Sequence, residues 1–554
     1  MEGELTGMIN THDVEEGVPV GRVKAPEGNA GYIFITRDTD RVRLGEFVYY
    51  LVKDDEDNEI KVLGRVTDRK SLRVYPDGYL SLNNISPEQI LSSLGVKEHP
   101  PLFEVNVSIL GYYQNGGFIN PRIQPLHGKV VYLATDSYLS KVLGSGERKT
   151  GKALIGYLLN RPVERVPITL DVKELVSRHL AVLAATGAGK SYTVGVILEE
   201  LLGKYNKAAV LVLDPHGEYS TLQQMKNWNA SNPLADSDYT PDVRVVGEEN
   251  INISYSDLEN ADWRIILKDA SDKMMNILFD ALGKLKKQIW EKRERPRFGL
   301  KEIITEVESI EDKNSAMSRD ALIWRLKSYA NRKIFSGEPS TGLRDIFMPG
   351  HLTIIDMSEL EETDQQLIAA MILRRTLRAR IKTKKEHLTE GEWYLPYPVF
   401  VVLEEAHRFA PAAGESRSKS ILKTILSEGR KFGVGTCLIS QRPGKLDSDV
   451  LSQCMTQIIM KVVNPSDQQN IRISVESVTE DLIDELPSFT TGQAVVVGAA
   501  INTPVVIQVR KRLTEPGGSS SDAPQEWEEF LKGQARREKE DSALLIGGTD
   551  KDVF

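Results

Sequence analysis

Hydrophobic positions in the first 150 residues alternate over short runs, which is the pattern of β-strands. Clusters of Gly, Asp and Asn separate the runs, as turns between strands do. The runs lie at Val20–Val23, Tyr32–Ile35, Phe47–Val52, Ile60–Val66, Val105–Tyr113 and Val130–Leu133. Short strands joined in this way are typical of a small barrel or sandwich. We therefore predict a small β-barrel over residues 1–150, ending in a polar, basic linker at Gly144–Lys152.

From about Ile168 onward, apolar runs alternate with segments of helical spacing. His179–Ala184 is a short apolar run, and Ser191–Leu202 after it has the spacing of a helix. Further strand candidates are Ala208–Leu213, Val243–Val246, Leu352–Ile355, Val399–Leu403, Gly435–Ile439 and Gln457–Val463. Most of these runs are apolar on both faces, as in buried parallel strands. Residues 151–510 thus predict an α/β domain built on a parallel sheet.

Two segments depart from this alternation. Residues 256–345 are predicted to form an insertion of three or four amphipathic helices within the α/β domain. Residues 511–554 are predicted to form a flexible, charged tail, because Glu515–Gln525 is rich in Pro, Gly and Ser. A short helix is possible in this tail around Trp527–Lys532.

Composition adds few constraints. The chain has 554 residues, with 70 Lys and Arg against 79 Asp and Glu, so its net charge is −9. That acidity argues against a histone-like basic coat, although a groove can be locally basic on an acidic body. Cys437 and Cys454 are isolated, as expected of reduced thiols in a cytoplasmic protein. No apolar run approaches the ~18–20 residues that span a bilayer, so we expect a soluble cytoplasmic protein without a membrane segment.

The segment Ala184–Ser191 matches the phosphate-binding loop G-x-x-x-x-G-K-[ST], except that Ala184 replaces the first Gly. A strand precedes the loop and a helix follows it, so backbone N–H groups and the helix N-terminus can surround a phosphate. Lys190 is expected to reach the β- and γ-phosphates of ATP, and Ser191 to bind Mg²⁺. The alternative is a small-residue turn without a ligand. The predicted nucleotide-binding residues are Thr186, Gly187, Ala188, Gly189, Lys190, Ser191 and Tyr192.

The apolar run Val399–Leu403 ends in Glu404 and Glu405. In nucleotide-hydrolysing enzymes such a strand lies beside the phosphate loop, and its acidic end meets Mg²⁺ and the attacking water. Glu404 is predicted to hold the Mg²⁺ and Glu405 to polarise the water. The alternative is a strand that ends in exposed charge.

Three residues next to other predicted strands are weaker candidates for the nucleotide site. Asp214, with Glu218, lies at the carboxyl end of a strand and is predicted to approach Mg²⁺ or the water. Gln441 follows Gly435–Ile439 and is the candidate sensor of the γ-phosphate. Ordinary polar turns would explain both sites equally. Arg430 could be an arginine finger for a neighbouring subunit, but a basic helix C-terminus explains the same residues.

Together these motifs resemble those of the HerA family of DNA translocases, in the HerA–FtsK group of P-loop ATPases. The likeness extends from the β region to about Arg510, and no single motif is specific without the others. It rests on the phosphate loop and on Arg178–Leu180, Asp214–Tyr219, Glu404–His407, Glu428–Gly435 and Ser440–Pro443. In this family a basic residue often precedes the Glu-Gly-Arg, whereas this chain has Ser427.

The resemblance implies an N-terminal barrel of the type found in rotary ATP synthases and a RecA-like motor with a helical insertion. It implies a homohexameric ring around double-stranded DNA, and a NurA-like nuclease partner in DNA-end processing for double-strand-break repair. It assigns Arg178 and Arg430 as catalytic arginines, one acting across the subunit interface, and Gln441 as the sensor. A nucleotide-gated DNA clamp for a nuclease or defence effector is the alternative function, and a membrane-associated DNA pump is disfavoured.

Two groups of basic residues are candidates for binding DNA. Seven cations crowd into residues 374–385, but acidic residues from Ser358 to Asp364 open what reads as the same helix. Acid at the start and base at the end of a helix complement its dipole, so we favour that explanation. The linker residues Arg148, Lys149 and Lys152 are the second group.

Overall fold

The computed structural model describes residues 17–27, 30–53, 57, 59–72, 89, 101–114, 117–119, 124–143, 148–162, 164–247, 250–292, 297–310, 316–329, 334–517 and 523–546. Residues 144–147 of the predicted linker lie outside the described residues.

Seven strands form the N-terminal part of the chain. They are β1 (Pro19–Glu27), β2 (Gly31–Thr36), β3 (Phe47–Lys53), β4 (Glu59–Ser71), β5 (Phe103–Gln114), β6 (Gly117–Ile119) and β7 (Val130–Leu133). Their order is β2-β1-β7-β3-β4-β5-β6, and β2 also pairs with β5, so six antiparallel strands close on themselves. Closure removes the free edges of these six strands. Alternate side chains, such as Tyr32, Phe34 and Tyr50, fill the interior. The predicted barrel is confirmed.

An 11-stranded sheet forms the centre of the remaining chain. Its strands are β8 (Lys152–Leu158), β9 (Pro167–Asp171), β10 (Leu180–Leu183), β11 (Val210–Asp214), β12 (Asp242–Val246), β15 (His351–Asp356), β16 (Val399–Leu403), β17 (Val434–Ser440), β18 (Thr456–Ile459), β19 (Gln493–Gly498) and β20 (Val505–Val509). Their order is β12-β15-β11-β16-β17-β10-β18-β19-β20-β8-β9. In this spatial order the first seven strands, β12 through β18, run parallel to one another. The last four strands, β19, β20, β8 and β9, pair antiparallel. Loops that follow the parallel strands therefore meet at one edge of the sheet.

The helices cover both faces of this sheet. In the described residues they are α1 (Asp136–Leu143), α2 (Val172–Arg178), α3 (Lys190–Leu202), α4 (Asn260–Ile266), α5 (Asp272–Lys292), α6 (Leu300–Glu308), α7 (Ala316–Ser328), α8 (Leu343–Ile346), α9 (Glu362–Lys385), α10 (Ala406–Phe409), α11 (Lys419–Phe432), α12 (Ser448–Ser452), α13 (Pro465–Ser474), α14 (Glu480–Glu485) and α15 (Ala523–Ile546). Phe47 and Tyr49 of the barrel share an apolar cluster with Val194 and Leu198 of α3, so the barrel packs on the same side as the phosphate-loop helix.

Helices α4–α7 form the helical segment between β12 and β15. The chain enters it after β13 (Ile253–Ser254) and leaves it through β14 (Phe335–Ser336), which pairs in parallel with β13. Trp263, Leu278 and Ile303 of these helices are buried in one cluster with apolar residues of α9 and α11. The segment is thus packed on the sheet side that faces away from α3.

The basic run at residues 374–385 lies in the second half of α9. Acidic Glu362 and Asp364 lie in the first turn of the same helix, as the dipole explanation requires. Arg374 pairs with Asp262 at 2.6 Å, and Arg375 pairs with Glu392 at 3.2 Å. The Arg380 side chain is buried and donates to backbone carbonyls of Phe432 and Leu395. These arginines hold the protein together and form no free nucleic-acid patch.

Residues 511–517 differ from the flexible tail predicted to begin at residue 511. They pack against α3, where the side chain of Glu199 is fully buried. Backbone N–H groups of Leu513 and Thr514 donate to this carboxylate at 2.9 and 2.7 Å, and Arg510 pairs with it at 3.0 Å. A buried carboxylate requires such partners, and this requirement fixes the segment.

The same cluster includes the linker. Glu200, also buried, pairs at 3.0 Å with Arg510 and at 3.0 Å with Arg148. Lys152 pairs with Asp171 at 3.1 Å, so two of the three linker cations are used within the protein. Farther along, α15 has 24 residues where only a short helix was predicted. Its Glu, Lys, Arg and Ala residues are good helix formers, which extends the helix well beyond the apolar residues.

Candidate active site

The phosphate loop lies between β10 and α3 at the carboxyl edge of the parallel strands. Gly187 and Gly189 have φ values of 78° and 98°, in the left-handed region that Gly adopts at little cost. An added Cβ at Gly187 would meet no heavy atom within 4 Å, so the loop faces open space. Ala184 is fully buried and does not occur among the described residues with positive φ, so its methyl group is accommodated. The loop and the N-terminus of α3 form a cradle suited to an anion.

Glu404 and Glu405 stand at the carboxyl end of β16, two strands from β10. Both side chains are buried, with exposures of 0% and 1%. Glu405 has a left-handed backbone conformation, with φ 53° and ψ 49°. Lys190 Nζ contacts the Glu404 carboxylate and lies 3.0 Å from Glu405 Oε1. The predicted phosphate-binding cation and the two predicted catalytic carboxylates therefore meet.

The two carboxylates have opposite pKa shifts. Burial raises the pKa of Glu404 to about 7, against the opposing effects of Lys190 and Tyr219. Burial also raises the pKa of Glu405, but His407 and Lys190 outweigh it and lower this pKa to about 2. Burial lowers the pKa of Lys190, yet the two carboxylates outweigh burial and raise it. Glu405 and Lys190 are thus charged at neutral pH, whereas Glu404 changes its protonation state there.

Asp214 holds the turn after β11 in place. Its buried carboxylate accepts backbone N–H groups from His216 at 3.2 Å, Gly217 at 2.9 Å and Tyr219 at 3.1 Å. These hydrogen bonds give Asp214 a role in shaping this turn, and its predicted approach to Mg²⁺ or water stays a prediction. The turn directs its next residues, Glu218 and Tyr219, at the phosphate loop.

Glu218 and Tyr219 contact the two predicted Mg²⁺ ligands. Glu218 accepts a hydrogen bond from the hydroxyl group of Ser191. Tyr219 is fully buried, and its hydroxyl donates to Glu404 Oε2 at 2.7 Å. One turn therefore holds both a hydroxyl and a carboxylate of the kind that Mg²⁺ binds.

Gln441 links the phosphate loop to the carboxylates. Thr186 Oγ1 donates to its side-chain oxygen at 2.7 Å, and its side-chain nitrogen donates to Glu405. Its position after β17 places this amide between the predicted phosphate and the predicted base. This is the position that the predicted γ-phosphate sensor requires.

The last predicted loop residue, Tyr192, faces another way. Its hydroxyl accepts the backbone N–H of Arg512 at 2.6 Å, which ties α3 to the C-terminal segment. The carbonyl of Ala188 accepts the N–H of Gly492 at 3.2 Å, so the residue just before β19 also holds the loop. The rear of the phosphate loop is thus braced by residues that follow the parallel sheet in the chain.

Arg178 and Arg430 lie at the opposite, amino edge of the sheet. Arg178 ends α2 just before β10, and its side chain pairs with Glu174 at 2.7 Å. Arg430 lies in the last turn of α11 just before β17. It is exposed, and its side chain has no ion pair or hydrogen bond with any other residue that the structure describes. Neither arginine joins the cluster around Lys190 within one chain.

Sequence comparison identifies the family. A family model described as the helicase HerA central domain matches residues 153–376. The chain is 34% identical to a probable helicase of Methanocaldococcus jannaschii, over 80% of this chain and 82% of that protein. It is 30% identical to the DNA double-strand break repair helicase HerA of Pyrococcus furiosus, over 88% of this chain and 92% of that protein. The chain belongs to the HerA family.

HerA family membership confirms the resemblance drawn from the motifs and makes the chain an ATPase of the helicase class. The predicted fold class is confirmed as well, with an α/β P-loop motor preceded by a small barrel. Among solved structures, VirB4 of Thermoanaerobacter pseudethanolicus aligns over 66% of this chain and 97% of its own, with TM-score 0.46 and 13% identity. In the described part of the chain, no helix has the length and apolar character needed to cross a membrane.

Two side chains of this HerA-family site carried no role in the sequence analysis. Tyr219 lay in a recognised motif, and its burial beside Glu404 was invisible because the two residues are 185 positions apart. His407 follows the carboxylates on the short helix α10, and its Nδ1 lies 3.2 Å from Glu405 Oε2. In the sequence, the position of His407 two residues after the predicted catalytic carboxylate Glu405 was the signal that could have identified it.

Tyr219→Phe is expected to move the pH dependence of ATP turnover. The Tyr219 hydrogen bond lowers the pKa of Glu404, so its loss raises that pKa further above about 7. A hydrogen bond to a charged group contributes about 1.5–3 kcal/mol, so the acidic limb of the kcat/KM profile should shift by about one to two pH units upward. Turnover at pH 7 falls accordingly. A profile identical to that of the control Tyr205→Phe would contradict this role.

Proposed function

We propose that the chain is an ATP-driven translocase or helicase on double-stranded DNA. We further propose that it works as a homohexameric ring and processes DNA ends in double-strand-break repair together with a nuclease. One arrangement supports this above all: the nucleotide site lies at the carboxyl edge of the sheet, while Arg178 and Arg430 lie at the amino edge.

The side chains at the carboxyl edge fit ATP with Mg²⁺. The open cradle at Gly187 accepts phosphates, and the Ser191 hydroxyl with Glu404 and Glu218 offers the oxygen ligands that Mg²⁺ prefers. Bound Mg²⁺ neutralises charge that develops on the phosphates. Lys190 then leaves the two carboxylates for the phosphates. Glu405, whose low pKa keeps it ionised, holds and polarises the attacking water, and Gln441 registers the γ-phosphate.

The positions of the arginines favour a ring. Strands β10 and β17 have 4 and 7 residues, so the two edges lie about 13 and 23 Å apart along them. That distance exceeds the reach of an arginine side chain, so neither residue can complete the nucleotide site of its own chain. In a head-to-tail ring the two contacting surfaces of neighbouring subunits differ, so the amino edge of one subunit can meet the carboxyl edge of the next. Each ATP would then lie between subunits, and its hydrolysis would move one against the other.

Double-stranded DNA is the proposed track because the relatives with this whole-chain similarity are named DNA double-strand break repair helicases. Arg442 and Lys445 are the proposed contacts. They line an open cleft of 710 Å³ beside Thr186 and Gln441. Both are exposed, and neither side chain has an ion pair or hydrogen bond within the described ranges. Asp467, also in this cleft, already accepts the N–H of Gly444 at 2.7 Å.

The double variant Arg442→Ala/Lys445→Ala is expected to bind DNA more weakly. Its affinity should also depend less on salt, because each lost phosphate contact lowers the slope of log K against log[salt] by about one unit. Fluorescence anisotropy of a labelled duplex over a series of salt concentrations measures both effects. Lys301→Ala, an exposed lysine of α6, is the matched control. An unchanged slope in the double variant would place the DNA elsewhere.

Triplex displacement tests the proposed function directly. A motor that tracks along a duplex strips off a third strand bound ahead of it, and it does so only with hydrolysable ATP. A nucleotide-gated clamp binds the same DNA and leaves the third strand in place. Native mass measurement of the purified protein reports whether the assembly has six copies. Co-purification with a nuclease from its source tests the partner.

A further inference from the structure

The turn that carries Arg178 is clamped to the two strands that flank β10. On one side, its backbone extends the pairing with β18. The N–H of Met455 donates to the Arg178 carbonyl at 2.9 Å, and the N–H of Thr456 donates to the His179 carbonyl at 3.3 Å. The backbone of Arg178 therefore moves with the start of β18.

On the other side, the clamp is a side chain. His179 Nδ1 accepts the backbone N–H of Thr436 on β17 at 3.2 Å and lies 3.0 Å from the Thr436 hydroxyl. The backbone ladder between β10 and β17 begins one residue later, with Leu180 opposite Cys437. The imidazole thus supplies the acceptor that a strand carbonyl would otherwise supply at this end of the ladder.

His179 is committed to this contact. It is 2% exposed and has φ 60° and ψ 150°, a backbone conformation that is essentially confined to Gly. Burial lowers its pKa to about 4, so the ring is neutral at pH 7 and its Nδ1 is free to accept. A buried, strained and neutral histidine is a costly way to end a strand unless its position serves another residue.

Strand β17, which His179 contacts, also leads to Gln441, the predicted sensor. Thr436 and Gln441 lie on and just after β17, five residues apart. Helix α2 sits directly on the same strand, since an added Cβ at Gly435 would lie 2.2 Å from the carbonyl of Val176. The amino edge, with Arg178, and the carboxyl edge, with Gln441, are therefore connected by one rigid strand.

We propose that His179 is a positioning residue that fixes Arg178 to the sensor strand β17, so that this arginine is presented to the nucleotide of the neighbouring subunit. The inference rests on the proposed ring, in which Arg178 acts between subunits. Through β17, loss or gain of the γ-phosphate at Gln441 in one subunit shifts the arginine that this subunit lends to the next. The imidazole contacts no nucleotide itself.

A matched pair of substitutions tests this role. Asn places its side-chain oxygen where the imidazole has Nδ1, whereas the oxygen of Gln falls near the position of Nε2. His179→Gln should therefore lower kcat about tenfold or more with nucleotide affinity unchanged, and His179→Asn should retain most of the activity. The expected loss is smaller than the ~10³–10⁵-fold effect of removing an arginine finger, because Arg178 is still present.

Mixed rings separate positioning from general damage. His179→Gln subunits keep an intact phosphate loop, and Lys190→Ala subunits keep an intact His179 and Arg178. In an equal mixture of the weakly active His179→Gln protein and the inactive Lys190→Ala protein, ATP turnover should rise above that of His179→Gln alone, since about one quarter of the interfaces pair an intact loop with an intact arginine turn. The Arg178→Ala and Lys190→Ala mixture is run in parallel.

The outcomes are distinct. Recovery in both mixtures supports the proposal. Recovery with Arg178→Ala and none with His179→Gln overturns it and leaves the ring intact. Recovery in neither mixture overturns the shared site itself, and with it the ring arrangement. If His179→Gln does not fold, Thr436→Val, which removes the hydroxyl 3.0 Å from the imidazole, replaces it, and full activity of that variant alone counts against the proposal.

Discussion

Glu405→Gln is expected to reduce ATP turnover by about 10²–10⁴-fold, the usual contribution of a general base, and to leave nucleotide binding intact. The substitution keeps the shape of the side chain and the contacts with Lys190 and Gln441, and it removes the charge that polarises the water. Lys190→Ala is expected to lose turnover and nucleotide affinity together. Steady-state ATPase assays with and without DNA, and binding of a fluorescent nucleotide, separate the two patterns.

Measurements of thermal stability also distinguish Lys190→Ala from Glu405→Gln. Lys190→Ala leaves two buried carboxylates without their cation, and breaking a buried pair typically costs about 3–5 kcal/mol, so its Tm should fall. Glu405→Gln removes one of the two carboxylates beside Lys190 and should not share that loss. The exposed residues Glu308 and Lys301 supply the controls Glu308→Gln and Lys301→Ala. DNA-stimulated turnover at the normal rate in Glu405→Gln would refute the assignment of this residue.

Arg430→Ala is expected to lower kcat about 10³-fold or more, as the removal of an arginine finger does, with little change in nucleotide affinity. The reason is its place at the amino edge of the sheet, from which, in the proposed ring, its guanidinium would face a neighbouring subunit and stabilise charge only as phosphoryl transfer proceeds. Single-turnover hydrolysis measured beside nucleotide binding distinguishes kcat from affinity. Lys431→Ala, which removes the adjacent exposed cation, is the control.

Mixing provides the decisive readout for Arg430. Arg430→Ala and Lys190→Ala subunits should be inactive alone and active together, because each supplies what the other lacks. If Arg430→Ala instead weakens nucleotide binding and the mixture stays inactive, the arginine acts within its own chain. That result would require a large movement of α11 toward the phosphate loop.

Local patterns in the sequence predicted the elements of this fold well and their long-range contacts poorly. The β10–loop–α3 unit and the end of β16 could be predicted because an apolar strand and the Gly-rich turn or charged end that follows it are neighbours in the chain. That Lys190 meets Glu404 could be expected only by analogy with other nucleotide-hydrolysing enzymes, since 214 residues separate them. The contact of Tyr219 with Glu404, and the role of Asp214 in its own turn, depend on side-chain directions that spacing does not encode.

The C-terminal segment shows the same limit. Residues rich in Pro, Gly and Ser after Glu515 indicated flexibility, and the segment before them carries no apolar pattern. What fixes Arg512 and Thr514 is the buried Glu199, more than 300 positions earlier in the chain. The composition of the segment indicates flexibility, whereas the buried charge of Glu199 on α3 holds the segment in one conformation.

The buried cluster behind α3 sets a limit on how far this protein can be shortened. A chain that stopped at Val509 would deprive the buried Glu199 of Arg510 and of the N–H groups of residues 513 and 514, and it would leave Glu200 with Arg148 but without Arg510. The Glu199 carboxylate would then take up a proton, or water would enter behind the phosphate-loop helix. The central domain recognised by the family model is therefore not a minimal ATPase, and purification tags or fusions belong after residue 517.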